Sequence, residues 1–290
     1  MKDIIITSFT DPLCVWCWAT EPVFRAIETR YPTVEIRTVM GGMIRDMNDF
    51  SDPDNGIDAG PDGVDAQIAH HWLESAPVHG MPVEADGFAL FKKGLPSSFP
   101  QNIAYKAAQI ATPARADRFL HGVRAATTAQ AKITSLPEVL SGIARESGVD
   151  VPAFERALAD GSAERAFKMD IALAQSVGVS VFPTFLVKSS AAREMMLRGY
   201  NRLYDFKQVF DRLTGGELQP LASPPDADVL AWLADSHGPL AMEEVFKAFD
   251  FDSRAQADNW VDKLVKDGLY TREPAGTGFL LTPTMQEDAV

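Results

Sequence analysis

Apolar residues change their spacing several times along the chain, and each change predicts a different element. Residues 3–9 form a continuous β-branched apolar run, which is typical of a strand buried on both faces. Apolar residues then recur at helical spacing up to Arg30, with Pro22 expected to kink the helix. Residues 33–40 alternate between apolar and polar side chains and predict a second strand. The chain is therefore predicted to begin with a strand–helix–strand unit.

Helical spacing dominates the middle of the chain, from about residue 62 to residue 177. Strand patterns then return, and one more helical pattern follows them. These elements are predicted at residues 179–187, 195–199 and 203–213. The arrangement predicts an α/β sheet domain at residues 1–215, interrupted by a large all-helical insertion at residues 62–177.

The segment between Gly215 and Pro225 is rich in Gly, Pro and Ser and predicts a domain boundary. Residues 224–290 would then form a second, smaller unit. Three helical patterns followed by a β-hairpin give this unit the element order of a winged helix. The helices are predicted at residues 228–234, 242–249 and 254–266, and the hairpin strands at residues 268–272 and 278–282.

Acidic residues outnumber basic residues in both units. The chain has 40 acidic and 27 basic residues, which gives a formal net charge of -13 at pH 7. Such a surface repels polyphosphates and anionic lipids, so neither nucleic acid nor a membrane is an expected partner. The winged-helix-like unit has 13 acidic and 5 basic residues and lacks the basic surface that reading DNA requires. Without a signal-peptide pattern or a long apolar run, a cytoplasmic protein is expected.

Residues 46–65 contain seven aspartates and no Lys or Arg, together with several Pro and Gly residues. This composition predicts a long solvated loop. A calcium site is a weaker interpretation, because the segment lacks the regular ligand spacing and the terminal Glu of a calcium loop.

Cys14 and Cys17 are the only cysteines, and they occupy the first turn of the predicted first helix. A helix N-terminus favours a thiolate, so Cys14 is expected to be the acid-shifted nucleophile. Cys17, one turn later, can attack a mixed disulfide on Cys14 and release the reduced substrate. The alternatives are two buried structural thiols, or half of a zinc site completed by two of the five histidines. No metal or organic cofactor is predicted.

Two segments resemble the DsbA family of thioredoxin-like proteins, in particular its cytoplasmic FrnE-like branch. They are TDPLCVWCW at residues 10–18 and GVSVFPTF at residues 178–185. The resemblance covers about residues 1–215. Together with the C-terminal pattern it gives the predicted fold class: an α/β, thioredoxin-like fold with a large all-helical insertion, plus a small winged-helix-like module. The resemblance also implies that Pro183 is cis and packs against the sulfurs, and that the backbone of Phe182 pairs with a substrate peptide.

The dipeptide between the cysteines, Val15-Trp16, contains no histidine, unlike that of the periplasmic oxidases of the family. A positive charge beside Cys14 is therefore missing from the sequence motif. We expect a less acidic Cys14 and a less oxidising couple than in those oxidases. Trp16 is predicted to offer an apolar surface to the substrate. Gly41 and Gly42 are interpreted as a turn, with a close approach of the backbone to the site as the alternative.

These observations predict a thiol–disulfide oxidoreductase that works as a reductase or isomerase through Cys14 and Cys17, with Trp16, Phe182 and Pro183 forming the substrate site. Its partners would be thiol- or disulfide-bearing proteins or small disulfides. Glutathione as a partner and a homodimeric state are left open.

Two other functions remain open at this point. One is a glutathione-dependent transferase or isomerase of the same superfamily, whose members generally carry serine at the position of Cys14. The other is a non-enzymatic adaptor, in which residues 224–290 recruit a partner and the cysteines sense oxidation. If the protein is an oxidoreductase, removing residues 224–290 is expected to leave its thiol chemistry intact.

Overall fold

A four-stranded mixed sheet organises the first part of the chain. The computed structural model describes residues 3–58, 63–91 and 95–284. The sheet has the order β2-β1-β3-β4, in which β1 and β2 are parallel and the other neighbours are antiparallel. The strands are β1 (Ile4–Thr10), β2 (Val34–Met40), β3 (Thr184–Ser189) and β4 (Glu194–Arg198). The insertion therefore separates β2 from β3, as the sequence predicts.

Helices cover both faces of this sheet. Helices α1 (Val15–Trp18) and α2 (Glu21–Arg30) follow β1, and the chain bends between them just before Pro22, as expected. Helix α9 (Leu203–Thr214) packs on the same face as α2. The core between them is apolar and largely aromatic. Its fully buried members include Ile4, Ile6, Ile27, Phe185, Phe206 and Phe210.

Within its described residues, the insertion contains six α-helices, with a core of its own around Phe119, Phe154 and Phe167. Residues 80–91 and 95–98, between the first two of these helices, are irregular, so the prediction of an almost wholly helical insertion is wrong there. Gly80 ends the preceding helix in the left-handed conformation, at φ +72°. The predicted start at residue 62 lies outside the described residues. The helices are α3 (Val64–His79), α4 (Phe99–Ala111), α5 (Ala116–Arg124), α6 (Pro137–Glu146), α7 (Val151–Ala159) and α8 (Ser162–Ser176).

The strand predicted at residues 179–187 is shorter in the structure, because β3 begins at Thr184. Residues 179–183 form a bend that ends in a cis peptide bond between Phe182 and Pro183. A proline has no N–H to donate to a strand ladder, which explains why the ladder starts after it. Because Thr184 pairs with Phe9, this bend lies at the end of the sheet where β1 leads to the cysteines.

The C-terminal unit has the predicted winged-helix-like order and one additional short strand. Its sheet has the order β5-β7-β6 and is antiparallel. The two-residue strand β5 has no sequence periodicity, which is why the sequence does not predict it. The elements are α10 (Ala227–His237), β5 (Leu240–Ala241), α11 (Met242–Ala248), α12 (Arg254–Lys266), β6 (Tyr270–Ala275) and β7 (Gly278–Pro283). Residues 285–290 lie outside the described part of the chain.

The C-terminal unit packs directly on the first domain. On α2, the Thr29 hydroxyl donates to the carbonyl of Ala248 at 2.7 Å, and Arg30 pairs with Asp250 at 2.9 Å. At the tip of the β6–β7 hairpin, the N–H of Thr277 donates to the carbonyl of Val83 at 2.9 Å. Two separate parts of the unit are thus attached to the first domain. The boundary near residues 215–224 stays a prediction.

None of the helices in the described part of the chain is long and apolar enough to cross a membrane.

Candidate dithiol site

The two cysteines meet at the first turn of α1. Cys14 is the N-cap residue, and the N–H of Cys17 donates to the Sγ of Cys14 at 3.2 Å. Both residues are free thiols, and both are buried, with 5% and 2% of their surfaces exposed. Helical geometry thus brings the two sulfurs of the C-x-x-C sequence together, as disulfide formation requires.

The pKa values of the two thiols shift in opposite directions. Burial raises the pKa of Cys14, and the neighbouring Cys17 raises it further. Burial also opposes ionisation of Cys17, but the Cys14 thiol, the Arg124 guanidinium and the Thr10 hydroxyl together lower its pKa. The expectation that Cys14 is the more acidic thiol stays a prediction, because the two buried thiols titrate as a coupled pair.

A cavity of about 460 Å³ lies beside Cys14. Cys14, Trp16 and Phe182 all line it, so the structure brings three of the predicted site residues together. Pro183 follows Phe182 directly and lies at the same end of the sheet. Cys17 is not part of the cavity wall, which makes Cys14 the sulfur that a substrate would meet first.

The acidic segment at residues 46–65 contributes another wall of this cavity. Asp52 and Asp54 line it beside Phe50 and Ile57. Residues 59–62 of this segment lie outside the described residues. The described part of the acidic segment therefore belongs to the site, a role that its composition did not indicate.

Within residues 3–58, 63–91 and 95–284, no three His, Cys, Asp or Glu side chains are grouped as metal ligands would be.

Gly41 fits tightly against the cis-proline bend. A Cβ atom at Gly41 would overlap the ring of Phe182, and the N–H of Gly41 donates to the carbonyl of Thr10 at 2.7 Å. Gly41 thus allows the aromatic side chain to lie across the end of β2. The interpretation of residues 41–42 as an ordinary turn misses this close approach, which depends on a residue far along the chain.

We expect Gly41→Ala to destabilise the protein by about 1–3 kcal/mol, because the added methyl group forces the Phe182 ring from its place. Urea unfolding measures the change. Gly142→Ala is the matched control, since a Cβ there meets nothing within 4 Å. In a double-mutant cycle, Phe182→Ala should remove most of the penalty at Gly41. Additive effects of the two substitutions would contradict this packing argument.

Asp11 is a buried residue of the site to which the sequence analysis gives no role. Its carboxylate accepts hydrogen bonds from the N–H of Leu13 at 2.9 Å and from the N–H of Met43 at 2.7 Å. The side chains of Ser98 and Asn102 donate to it as well. Burial raises the pKa of Asp11, although these four hydrogen bonds act to lower it. Asp11 therefore ties the cysteine turn to the end of β2 and to α4.

A buried cluster of charged residues lies behind Cys17. The Glu21 carboxylate pairs with two arginines, Arg124 and Arg25, the latter at 2.8 Å. From the C-terminal unit, Glu244 contacts Arg25 at 3.8 Å and His121 at 3.1 Å. All five residues are buried. The C-terminal unit therefore supplies part of the charge balance beneath the dithiol.

A family model described as Thioredoxin matches residues 8–208, which is more than half of the chain. The protein belongs to this thioredoxin family. Its structural neighbours include oxidoreductases of the DsbA type, and the predicted fold class is confirmed. The FrnE-like assignment stays a prediction.

Among individual proteins, the chain is similar to the ClpXP adapter protein SpxH of Halalkalibacterium halodurans, with 26% identity over 267 residues. The alignment covers 91% of this chain and 83% of the relative. A candidate protein disulfide isomerase from Nitrosomonas europaea has a TM-score of 0.61 and 19% identity, covering 74% of this chain and 99% of that one. The cytosolic disulfide reductase DsbM from Pseudomonas aeruginosa has a TM-score of 0.53 and 23% identity, covering 67% and 88%. At these identities the two structures show a shared fold.

Proposed function

We propose that this protein is a thiol–disulfide oxidoreductase in which Cys14 attacks the substrate and Cys17 completes the exchange. One observation carries the proposal: two free thiols lie one turn apart at the start of α1, where the N–H of Cys17 donates to the Sγ of Cys14, and of the two only Cys14 lines the cavity beside the cis-proline bend. A pair of structural thiols would need no cavity beside one of the sulfurs.

The proposed reaction proceeds in two exchanges. The Cys14 thiolate attacks one sulfur of a substrate disulfide, so that the other substrate sulfur leaves as a thiolate and takes up a proton from water. The Cys17 thiolate then attacks Cys14, the bond from Cys14 to the substrate breaks, and the second substrate sulfur leaves. The substrate gains two electrons, and the protein ends as the Cys14–Cys17 disulfide. A thiol donor from outside the chain returns it to the dithiol.

We assign the protein to reduction or isomerisation of disulfides in the cytosol, since both reactions begin from the dithiol. The Pseudomonas aeruginosa reductase, which shares the fold, is described as cytosolic.

A protein disulfide is the preferred substrate. In the described residues, the backbone N–H and C=O of Phe182 make no hydrogen bond, so they can pair with an extended peptide. Trp16 adds an apolar surface at the cavity. The described lining of this cavity includes Asp52 and Asp54 but no Lys or Arg, which disfavours the two carboxylates of glutathione.

Trapping tests this proposal. We expect Cys17→Ser to accumulate a mixed disulfide between Cys14 and a protein substrate that carries native or scrambled disulfides, because the second exchange is blocked. Non-reducing electrophoresis and mass spectrometry would identify the adduct and its cysteine. The Cys14→Ser protein is the control and should form no adduct. Equal adduct formation by both variants would contradict the assigned roles.

An adaptor is the second candidate function, and the similarity to SpxH adapter proteins is the observation that favours it. In that case the protein would deliver a client to a protease, with its cysteines serving at most as sensors. The two functions separate in the Cys14→Ser/Cys17→Ser double variant. An adaptor would still increase degradation of its client by ClpXP without cysteines, whereas an oxidoreductase would lose its activity.

A further inference from the structure

Two cavities are neighbours at the cis-proline bend. The cavity beside Cys14 and a second cavity of about 770 Å³, the α8 cavity, both have Ser180 and Phe182 in their walls. The α8 cavity also lies between the end of β2 and the helices α4 and α8. Its volume is within the range of ligand-binding pockets and exceeds what one side chain needs. The exchange of disulfides between Cys14 and Cys17 makes no use of this second cavity.

The floor of the α8 cavity is apolar and well packed. The rings of Phe99 and Phe167 meet edge to face with their centroids 5.0 Å apart, and Phe167 is 1% exposed. Ile171 and Val179 continue this apolar surface towards the bend. Such a floor favours a large apolar side chain over a polar one, because the occupant loses contact with water.

Arg45 gives the wall of the α8 cavity an uncompensated positive charge. Among the described residues its guanidinium forms no hydrogen bond and no ion pair. Lys168, the other cation of the wall, pairs with Glu164 at 2.7 Å. The carboxylate of Asp170, on the same helix, is held by Lys106 at 3.0 Å. The described wall therefore has one net positive charge, in a chain whose formal net charge is -13, and favours an acidic occupant.

The bend itself offers a way for one peptide to reach both cavities. The backbone N–H and C=O of Phe182 make no hydrogen bond in the described part of the chain, so an extended peptide can pair with them. A peptide whose cysteine lies beside Cys14 then places neighbouring residues over the α8 cavity. A small disulfide without a peptide chain occupies the first cavity alone.

We infer that the α8 cavity is a substrate subsite. It binds a segment of the substrate protein in which a large apolar side chain is next to an acidic one, close in sequence to the cysteine that Cys14 attacks. This inference rests on the proposed oxidoreductase function. Glutathione has carboxylates but no large apolar side chain, so it leaves the apolar floor unfilled. The protein thus selects disulfides by the residues that surround them.

Peptides with a single cysteine, linked through a disulfide to a thiopyridyl group, test this inference on the reduced protein. Cys14 attacks the peptide sulfur, the S–S bond breaks, and the pyridinethiolate leaves, takes up a proton and is followed by its absorbance. The reference peptide has Leu and Glu beside its cysteine, on the N-terminal side in one version and on the C-terminal side in the other. In the version that reaches the cavity, replacing Leu by Ser should lower the second-order rate constant about tenfold. Replacing Glu by Lys should lower it about threefold, as expected for an exposed ion pair.

Two variants of the cavity wall connect these preferences to the α8 cavity. Arg45→Glu should reverse the preference for Glu over Lys in the peptide. Gln175→Trp, which adds a large ring at an exposed position of the wall, should remove the advantage of Leu over Ser. Arg165→Glu and Ala172→Trp are the matched controls, because both positions are exposed on α8 and do not belong to the described wall. Both controls should keep the wild-type preferences.

Dipyridyl disulfide, which has no flanking residues, separates the subsite from the thiol chemistry. If the wild type reduced it but reacted with all the peptides at equal rates, the subsite would be rejected while the oxidoreductase function stood. An unchanged preference for Glu over Lys in Arg45→Glu would also overturn the inference, and so would a thiopyridyl derivative of glutathione that reacted as fast as the preferred peptide. If the wild type did not reduce dipyridyl disulfide, the proposed function would fail and the subsite with it.

Discussion

Replacing Cys14 by serine is expected to reduce dithiothreitol-driven reduction of insulin to the rate seen without the protein. A serine hydroxyl is a poor nucleophile towards sulfur and forms no mixed disulfide, so no exchange can begin. Insulin precipitation, followed by turbidity, measures the rate. Cys17→Ser should differ in kind, because it still performs the first exchange and then stalls as a mixed disulfide.

The contrast between the two variants is what identifies the nucleophile. The structure exposes Cys14, but not Cys17, to the cavity beside Phe182. If Cys14→Ser kept the wild-type rate, the dithiol would not be the reacting group. If Cys14→Ser formed trapped adducts through Cys17, the roles of the two sulfurs would be reversed.

Glu244→Leu should lower the free energy of unfolding by about 3–5 kcal/mol, the cost of removing one partner from a buried ion pair. Glu244 is fully buried, accepts from His121 with both oxygens at 3.1 Å, and accepts from the N–H of Ala241 at 2.8 Å. The substitution would leave His121 and Arg25 without this acceptor. Urea unfolding monitored by tryptophan fluorescence measures the loss.

Asp258→Asn is the matched control within the same C-terminal unit. Asp258 pairs with Arg254 at 3.2 Å, and about half of each side chain is exposed. Exposed pairs contribute about 1 kcal/mol or less, so this variant should unfold nearly as the wild type does. A small effect at both positions would mean that the C-terminal unit is attached without contributing to the stability of the first domain.

The same contacts change the expectation for a truncated protein. The sequence pattern suggests that residues 224–290 are an appendage whose removal spares the thiol chemistry. In the structure, their removal would uncover Arg25 and His121. It would also remove Thr277, whose N–H donates to the carbonyl of Val83. Trp18, next to Cys17, packs against His121 with the ring centroids 5.2 Å apart and the rings tilted by 57°. Its indole N–H donates to the carbonyl of Pro82 at 3.1 Å. Truncation is therefore a poor test of function, and point variants are preferable.

The expected redox character changes as well. The Val15-Trp16 dipeptide contains no cation and predicts a less oxidising couple than that of the periplasmic oxidases. Arg124 supplies a buried cation from another element, and stabilising the reduced form makes a couple more oxidising. The Val15-Trp16 dipeptide alone therefore does not determine the reduction potential of the Cys14–Cys17 couple, because residues on other elements also contribute charge near the sulfurs.

Local patterns along the chain determined most of the architecture. The apolar run before Cys14, the helical spacing after it and the alternation in residues 33–40 each lie within one element, so their periodicity could be recognised without the fold. The three C-terminal helices and the hairpin were predicted for the same reason. The C-x-x-C spacing and the cis-proline segment at residues 178–185 gave the family.

Tertiary structure alone decided how the site works electrostatically. Arg124 meets Thr10 across 114 residues of sequence, and Glu244 meets His121 across 123. Contacts between such distant residues produce no period in the sequence, and their strength comes from burial, which no single element possesses before packing. The sequence thus determined that two sulfurs stand at the start of a helix. Only the packed structure determined that buried charged residues lie behind the inner sulfur, because those residues belong to α2, to α5 and to the C-terminal unit.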